Sequence, residues 1–272
     1  MTLSSTRACP ACGHRGAHLA FGHAGREHLR CNACSTVFAA DPDDHAADVH
    51  AAGEPGHAAR RRAVADARAA ILRKFGCRTV LEIGCGPGVF LDAVRDLGMQ
   101  VEGIDPHPDA AALARGHTIH AALPDAPRFD AVALWDLLAH VPDPKDMLLQ
   151  ARRWLRPGGF LALSTMSSSG VPALALGPRL AMVDPAPRTC FSRRGLKLSL
   201  TAAGFDPVRW TSASGLAREH LQHGLERVWL GASLPGRALA HGLTIAAQLP
   251  LRAIDRAGLG SAFEVYAVAG RD

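Results

Sequence analysis

Four cysteines near the N-terminus stand in two pairs, Cys9-Pro10-Ala11-Cys12 and Cys31-Asn32-Ala33-Cys34, with residues 13–30 between them. A CxxC knuckle turns tightly enough for two thiolates to face one ion, and two knuckles complete a tetrahedron. The repeated spacing favours this reading over four unrelated buried thiols or a redox pair. The pattern predicts a closed, structural Zn2+ site ligated by Cys9, Cys12, Cys31 and Cys34. His14, His18, His23 and His28 lie nearby and are expected at the surface, because four thiolates already suffice.

A second group of reactive residues follows the run Thr79-Val80-Leu81-Glu82-Ile83. Gly84, Gly86 and Gly88 alternate with Cys85 and Pro87, and position 89, where a dinucleotide fingerprint needs its third glycine, is Val. The spacing argues against a pyrophosphate ligand and for one that approaches the backbone closely. Val101-Glu102-Gly103-Ile104-Asp105 ends in an acid placed to hydrogen-bond two ribose hydroxyls; the other reading of Asp105 is a turn former before Pro106. Imidazole as a group ordinarily titrates near neutral pH and His140 lies on a loop, so it suits a general base; the other reading is a brace for the loop before Pro142.

The elements that must position these groups alternate in type. Strands are predicted over 78–83, 101–105, 117–121, 129–135 and 160–164, the last entered through a Pro157-Gly158-Gly159 turn. Helices are predicted over 58–75, 89–97, 109–115 and 144–155. Ala63, Val64, Ala67, Ile71 and Leu72 are expected on the inner side of the first. Further on, Ser192 is set to cap a helix that ends at Gly204, followed by strands over 205–211 and 262–268. The alternation implies an α/β fold with a parallel sheet covered by helices. Between residues 13 and 30, Leu19-Ala20-Phe21 and Glu27-His28-Leu29-Arg30 suit a short hairpin too small to fold without its metal.

Together, Glu82 to Gly88, Gly103-Ile104-Asp105, the Phe129-Asp130 strand, His140-Val141-Pro142-Asp143-Pro144 and Leu155-Arg156-Pro157-Gly158-Gly159 resemble class I S-adenosylmethionine-dependent methyltransferases. With the cysteine knuckles, the chain is similar to bacterial biosynthetic methyltransferases carrying an N-terminal zinc ribbon. The resemblance implies a Rossmann-like, mostly parallel sheet with an antiparallel last strand. It implies a zinc ribbon over 1–45, a linker over 46–57 and a methyltransferase domain over 58–272, with a helical insertion or cap over 212–260. By position, Glu82, Gly84, Cys85, Gly86 and Gly88 would lie against the methionine and ribose parts of S-adenosylmethionine, which leaves as S-adenosylhomocysteine. Asp105, with Pro106 beside it, would take the ribose, Leu123 would pack on adenine, and Trp135 and Asp136 would stand near the methionine end. Trp135 also reads as a core aromatic. The stretch 135–140 further resembles ubiquinone-type O-methyltransferases, some of which hold a divalent ion here. Ala139 replaces one of their acids, which disfavours metal-assisted activation of the acceptor.

The chain of 272 residues is 48% hydrophobic and 20% charged, as expected of a globular protein, and its formal charge of +5 is modest. No apolar leader follows Met1 and no run reaches membrane-spanning length, so the expectation is a cytoplasmic chain without a membrane span. Residues 166–190 form a long connection suited to a substrate wall, with Arg179, Asp184 and Arg188 as candidate contacts. The segment before the last strand, with His220, His223 and His241, suits a pocket cover, a homodimer surface or a contact with a lipid-like acceptor. The leading functional expectation is methyl transfer to a small-molecule acceptor at oxygen. RNA methylation with the ribbon as a docking module is the second; scattered basic residues and the absence of an NPPY-like tetrad count against nucleic acid. A non-catalytic, zinc-dependent interaction protein is the third.

Overall fold

The computed structural model describes residues 7–23, 26–41, 58–106, 115–122, 126, 128–170, 187–213 and 253–270. Leu123, the expected helix over 109–115 except Arg115, the linker, Arg179, Asp184, His220, His223 and His241 lie outside the described residues. The described chain falls into two compact units. One takes in Ala46–Ser164, Ser199–Arg209 and Val265–Asp272, and the other Met1–His45, Thr165–Leu198 and Trp210–Glu264.

The first of these units is built on helix α1 (Ala58–Lys74), strand β4 (Thr79–Ile83), helix α2 (Val89–Asp96), strands β5 (Gln100–Ile104), β6 (Thr118–His120) and β7 (Phe129–Trp135), and helix α3 (Pro144–Trp154). Strand β4 pairs in parallel with β5 on one side and with β7 on the other. Both of its faces are covered, and Val80 and Leu81 have no exposed surface. This is why the strand reads as a continuous apolar run rather than an alternating one. The full sheet has seven strands in the order β10-β11-β8-β7-β4-β5-β6, where β8 is Leu155–Met166, β10 is Phe205–Ala213 and β11 is Ala262–Ala269. The sheet is mostly parallel, as expected, and the last strand, β11, is inserted between β10 and β8. The chain steps outward from β4 to β5 and β6, then returns to the other side of β4 as β7. That reversal opens a crevice at the carboxyl ends of β4 and β7, the usual ligand position in such sheets.

Two expectations are corrected here. The inner face of α1 consists of Ala65, Ala69 and Leu72, whereas Ala63, Val64 and Ala67 are exposed. An alanine- and arginine-rich helix has little apolar bias between its faces, so periodicity did not locate the buried side. The Pro157-Gly158-Gly159 stretch lies inside β8 rather than before it. Pairing begins at Phe129↔Leu155, shifts register, and continues from Ala131↔Phe160. Gly158 takes φ +74°, and a Cβ on Gly159 would press on the carbonyls of Arg156 and Asp130 at 2.9 and 3.1 Å.

The other unit contains a sheet of four strands, β1 (Ala17–His23), β2 (Arg26–Cys31), β3 (Val37–Ala39) and β9 (Thr189–Cys190), in that order. The expected hairpin is β1–β2. His28 is buried, not at the surface as expected, and its ring stacks on Phe21 with centroids 4.7 Å apart. Phe21 stands opposite His28 in register, so its ring covers the imidazole. Helix α4 (Arg193–Ala202) follows β9 and is closed by Gly204 at φ +76°. Leu196 and Leu200 in this helix and the adjoining Ala203 are buried.

Helix α3 offers a calibration of local against packing contributions. Asp143 caps it by accepting from the amides of Lys145 and Asp146 at 2.9 and 3.0 Å, and Leu148 is fully buried. Asp143→Ala should cost about 1 kcal/mol, and Leu148→Ala about 2–5 kcal/mol. Urea denaturation of the purified variants checks the order.

Candidate functional site

The crevice between β4 and β7 is floored by the glycine loop. Gly84, Gly86 and Gly88 have φ of +72°, +48° and +74°, a region that side-chain-bearing residues avoid. The loop is tied down at both ends. Gly84 N–H donates to the Ile104 carbonyl at 2.7 Å, and the amide of Asp92 in α2 donates to the Gly88 carbonyl at 2.9 Å. A Cβ on Gly84 would press on Leu137 at 3.2 Å, whereas one on Gly86 would meet nothing within 4 Å. Close packing against the next loop therefore constrains Gly84. Its backbone conformation constrains Gly86, which faces open space.

Two carboxylates stand at the strand ends. Asp105, 6% exposed, accepts from the Gly86 amide at 2.9 Å, so the acid ending β5 also shapes the loop ending β4. Glu82, 5% exposed, has one oxygen, Oε2, with no hydrogen-bond partner among the described residues. Burial pushes its carboxyl well above the usual range, with the Arg68 charge opposing and Asp105 adding to the shift. A buried polar atom without a partner is costly, and here it lies beside an open glycine loop. A ligand bearing hydrogen-bond donors would satisfy it. Pro106 is exposed next to Asp105, and Cys85 is buried against Gly103.

Trp135 ends β7. Its ring meets Phe90 edge-on at 5.3 Å and Tyr266 at 6.2 Å, and the Arg68 guanidinium lies 4.1 Å from its centroid. The indole is thus packed against the core, and its buried Nε1 also lacks a partner among the described residues. Asp136 follows in the left-handed region at φ +56°. Ser164, at the facing end of β8, holds it there: the Asp136 amide donates to the Ser164 carbonyl at 3.1 Å and to Ser164 Oγ at 3.0 Å, and Ser164 Oγ–H donates to Asp136 Oδ1 at 2.8 Å. Sequence reasoning missed Ser164. Its signal was a hydroxyl closing the apolar run Leu161-Ala162-Leu163 opposite Trp135 in register. His140 sits half-buried in the turn that follows, its amide donating to the Leu137 carbonyl at 2.9 Å. Through Leu137, this turn packs on Gly84.

In the other unit, the four predicted thiols converge. The ligand atoms of Cys9, Cys12, Cys31 and Cys34 all lie within 4.8 Å of one another. The Cys9–Cys34 and Cys12–Cys31 sulfurs are 3.7 and 3.6 Å apart. Four sulfurs ~2.3 Å from one tetrahedral ion would be ~3.8 Å apart, so the cluster has the dimensions of a metal-thiolate site. The Cys34 thiol is pulled down to about 4, first by its hydrogen bond with Cys9, while Cys9 is pushed up. The two sulfurs share a proton where a cation would take its place.

A sequence profile described as a methyltransferase domain matches residues 57–209. A ubiquinone biosynthesis O-methyltransferase of Xanthomonas axonopodis pv. citri is 36% identical over 110 residues, covering 35% of this chain and 46% of that protein. The match thus spans less than half the length of this curated relative. Two solved structures share the fold. A SAM dependent methyltransferase from Archaeoglobus fulgidus aligns with TM-score 0.51 at 17% identity, over 76% of this chain and 94% of that one. A magnesium protoporphyrin IX methyltransferase from Synechocystis PCC 6803, with bound SAH, aligns with TM-score 0.50 at 15% identity, over 77% and 84%.

The burial of Glu82 sets a pH dependence. An acid whose folded pKa is raised keeps its proton in the folded state while the unfolded state ionises, so it removes stability as pH rises above the ordinary glutamate value of about 4.3. Glu82→Gln abolishes this loss. The variant should therefore melt above the parent at pH 8, by about 2–4 °C per kcal/mol recovered, and the gap should narrow toward pH 5. Calorimetry of the ligand-free protein at both pH values checks the sign.

Proposed function

The chain belongs to the methyltransferase-domain family, and we propose that it transfers a methyl group from S-adenosylmethionine to the oxygen of a small-molecule acceptor in a biosynthetic pathway. One observation carries the reading. A buried carboxylate oxygen of Glu82 with no partner among the described residues lies beside a glycine loop held in left-handed conformation, at the point where strand order reverses. A cationic, donor-rich ligand without a pyrophosphate suits that cradle. The O-methyltransferase activity named for the Xanthomonas relative supports oxygen as the acceptor atom.

Glu82, Gly84, Cys85, Gly86 and Gly88 would hold the methionine and ribose parts of the donor, and Asp105, with Pro106, the ribose hydroxyls. When bound, the donor supplies a methyl group activated by its sulfonium. Trp135 forms the apolar end of the crevice, with Arg68 over its face. Asp136, fixed by Ser164, presents its carboxylate at the strand ends. His140 takes the acceptor's hydroxyl proton. The turn that carries His140 packs on Gly84 through Leu137, which supports this role. The four-cysteine cluster holds Zn2+; four thiolates fill a tetrahedral shell and leave no open position, so its role is structural. None of the seven cysteines is in a disulfide, which suits a reducing, cytoplasmic setting. Among the described residues no helix is long and apolar enough to cross a membrane.

Calorimetric titration of the zinc-loaded chain with S-adenosylmethionine should give saturable one-site binding, and an absence of binding would reject the function. Asp105→Ala should weaken binding roughly 10- to 100-fold, the loss of hydrogen bonds to a charged group. His140→Ala should leave donor affinity within about threefold and, once labelled-donor screening has found an acceptor, lower turnover by about 10²- to 10⁴-fold. Full turnover in that variant would remove His140 from the chemistry alone. Cys31→Ser should reduce bound zinc well below one ion per chain by elemental analysis, because one ligand of the tetrahedron is lost.

A further inference from the structure

The second cysteine knuckle is bonded to a stretch of chain more than 150 positions further along. Within the knuckle, the Cys31 amide donates to the Thr36 carbonyl and the Ser35 amide to the Cys31 carbonyl, each at 2.9 Å, with Ser35 at φ +65°. Four outward bonds leave this turn, one of them between the Thr36 and Ser192 hydroxyls at 3.4 Å. The Cys34 carbonyl accepts from Ser192 Oγ–H. Thr36 Oγ1 accepts from the Ser192 amide at 3.3 Å, and the Ser35 carbonyl accepts from Ser168 Oγ–H at 3.2 Å. Strand β3, directly after the knuckle, pairs with β9 through Val37↔Cys190 and Phe38↔Thr189, and the Ala39 amide donates to the Arg188 carbonyl at 2.9 Å.

Ser192 has a second task. Its Oγ accepts from the Gly195 amide at 2.9 Å and so caps α4. A hydroxyl has one hydrogen to give, and here it goes to Cys34 while a lone pair serves the helix. Thr36 and Ser192 are 0% and 3% exposed, so neither can replace a lost partner with water. Gly195 completes the fit: a Cβ there would collide with Thr36 Oγ1. The carbonyl of a metal-ligating cysteine, a buried threonine and the first turn of a helix thus share one hydrogen-bonded joint.

Resting on the reading of the cysteine cluster as a zinc site, we propose that Ser192 is a positioning residue through which bound metal sets the fold of residues 187–198. The Cys34 carbonyl points at Ser192 only while the knuckle keeps its turn. The ion fixes that turn by holding Cys31 and Cys34 to the other two sulfurs. When the ion leaves, the joint loses its acceptor, and β9 and the first turn of α4 lose their anchor. Linkage makes the effect reciprocal: whatever weakens the joint also weakens metal binding.

Hydrogen exchange on the full chain tests this, comparing the zinc-loaded form with protein stripped by a chelator under reducing conditions. Removal of zinc should lower protection over 187–198 by about tenfold or more, while peptides covering β4 and β7 change less than about twofold. In the zinc-loaded chain, Ser192→Ala should speed zinc transfer to a competing chelator by roughly tenfold. Ser192→Thr, which keeps the hydroxyl, should restore the parent rate. Thr36→Val leaves the cap intact and should still lower protection over 187–198. Unchanged protection after stripping overturns the proposal. So does loss of protection in β4 and β7 together with 187–198, or parental zinc release from Ser192→Ala. A chain that binds no zinc at equimolar metal instead overturns the reading of the cluster, and the joint with it.

Discussion

The amide of Gly86 donates to the Asp105 carboxylate at 2.9 Å, and the amide of Gly84 to the Ile104 carbonyl at 2.7 Å. These two bonds fasten the loop that ends one strand to the end of its neighbour. They are possible because the loop is glycine at each position that must turn left-handed. The arrangement of the crevice depends on them. Helix α2 starts from Gly88, Leu137 packs on Gly84, and the acid at the end of β5 faces the same space as the acid of β4. The sheet order reverses at β4, the position where open α/β sheets take their ligands, and the glycine loop lies there.

The crevice keeps polar groups in a state that the fold alone does not favour. Glu82 is buried with an oxygen that has no partner among the described residues, and Asp136 is held in a backbone region that costs a non-glycine residue free energy. In each case the surroundings compensate in part. Arg68 opposes the rise in the Glu82 pKa, and Ser164 gives Asp136 three hydrogen bonds. Arg68 has a further contact, its guanidinium lying 4.1 Å over the Trp135 ring. Polar strain placed at strand ends, above a core of closely packed apolar residues such as Val80, Ala131 and Ala162, is the usual mark of a site built to receive a ligand.

The unit holding the cysteines follows a different logic. A four-stranded sheet with one two-residue strand buries little apolar surface, although Phe38, Leu29 and Phe191 are almost wholly enclosed. Beside this small core stand four sulfurs at the separations of a metal-thiolate site. Its fourth strand comes from residues 189–190, so the knuckles and the later segment form one packed body within this unit.

Much of this was legible in the sequence, because the signals were local. The glycine spacing, the acid ending β5, the paired CxxC knuckles and the Ser192 and Gly204 helix boundaries each depend on residues a few positions apart. Local steric and hydrogen-bonding rules act at that range. The inner face of α1 was not legible, since alanine and arginine set no contrast between its sides. Nor was the burial of His28, whose ring stacks on that of its cross-strand partner Phe21. The sequence by itself determined which residues turn, cap and ligate. Only the tertiary structure decided that Ser164 would hold Asp136 and that Ser192 would hold Cys34, because hydrogen bonds between residues 28 and 158 positions apart have no periodicity to betray them and form only once strands and knuckle are packed.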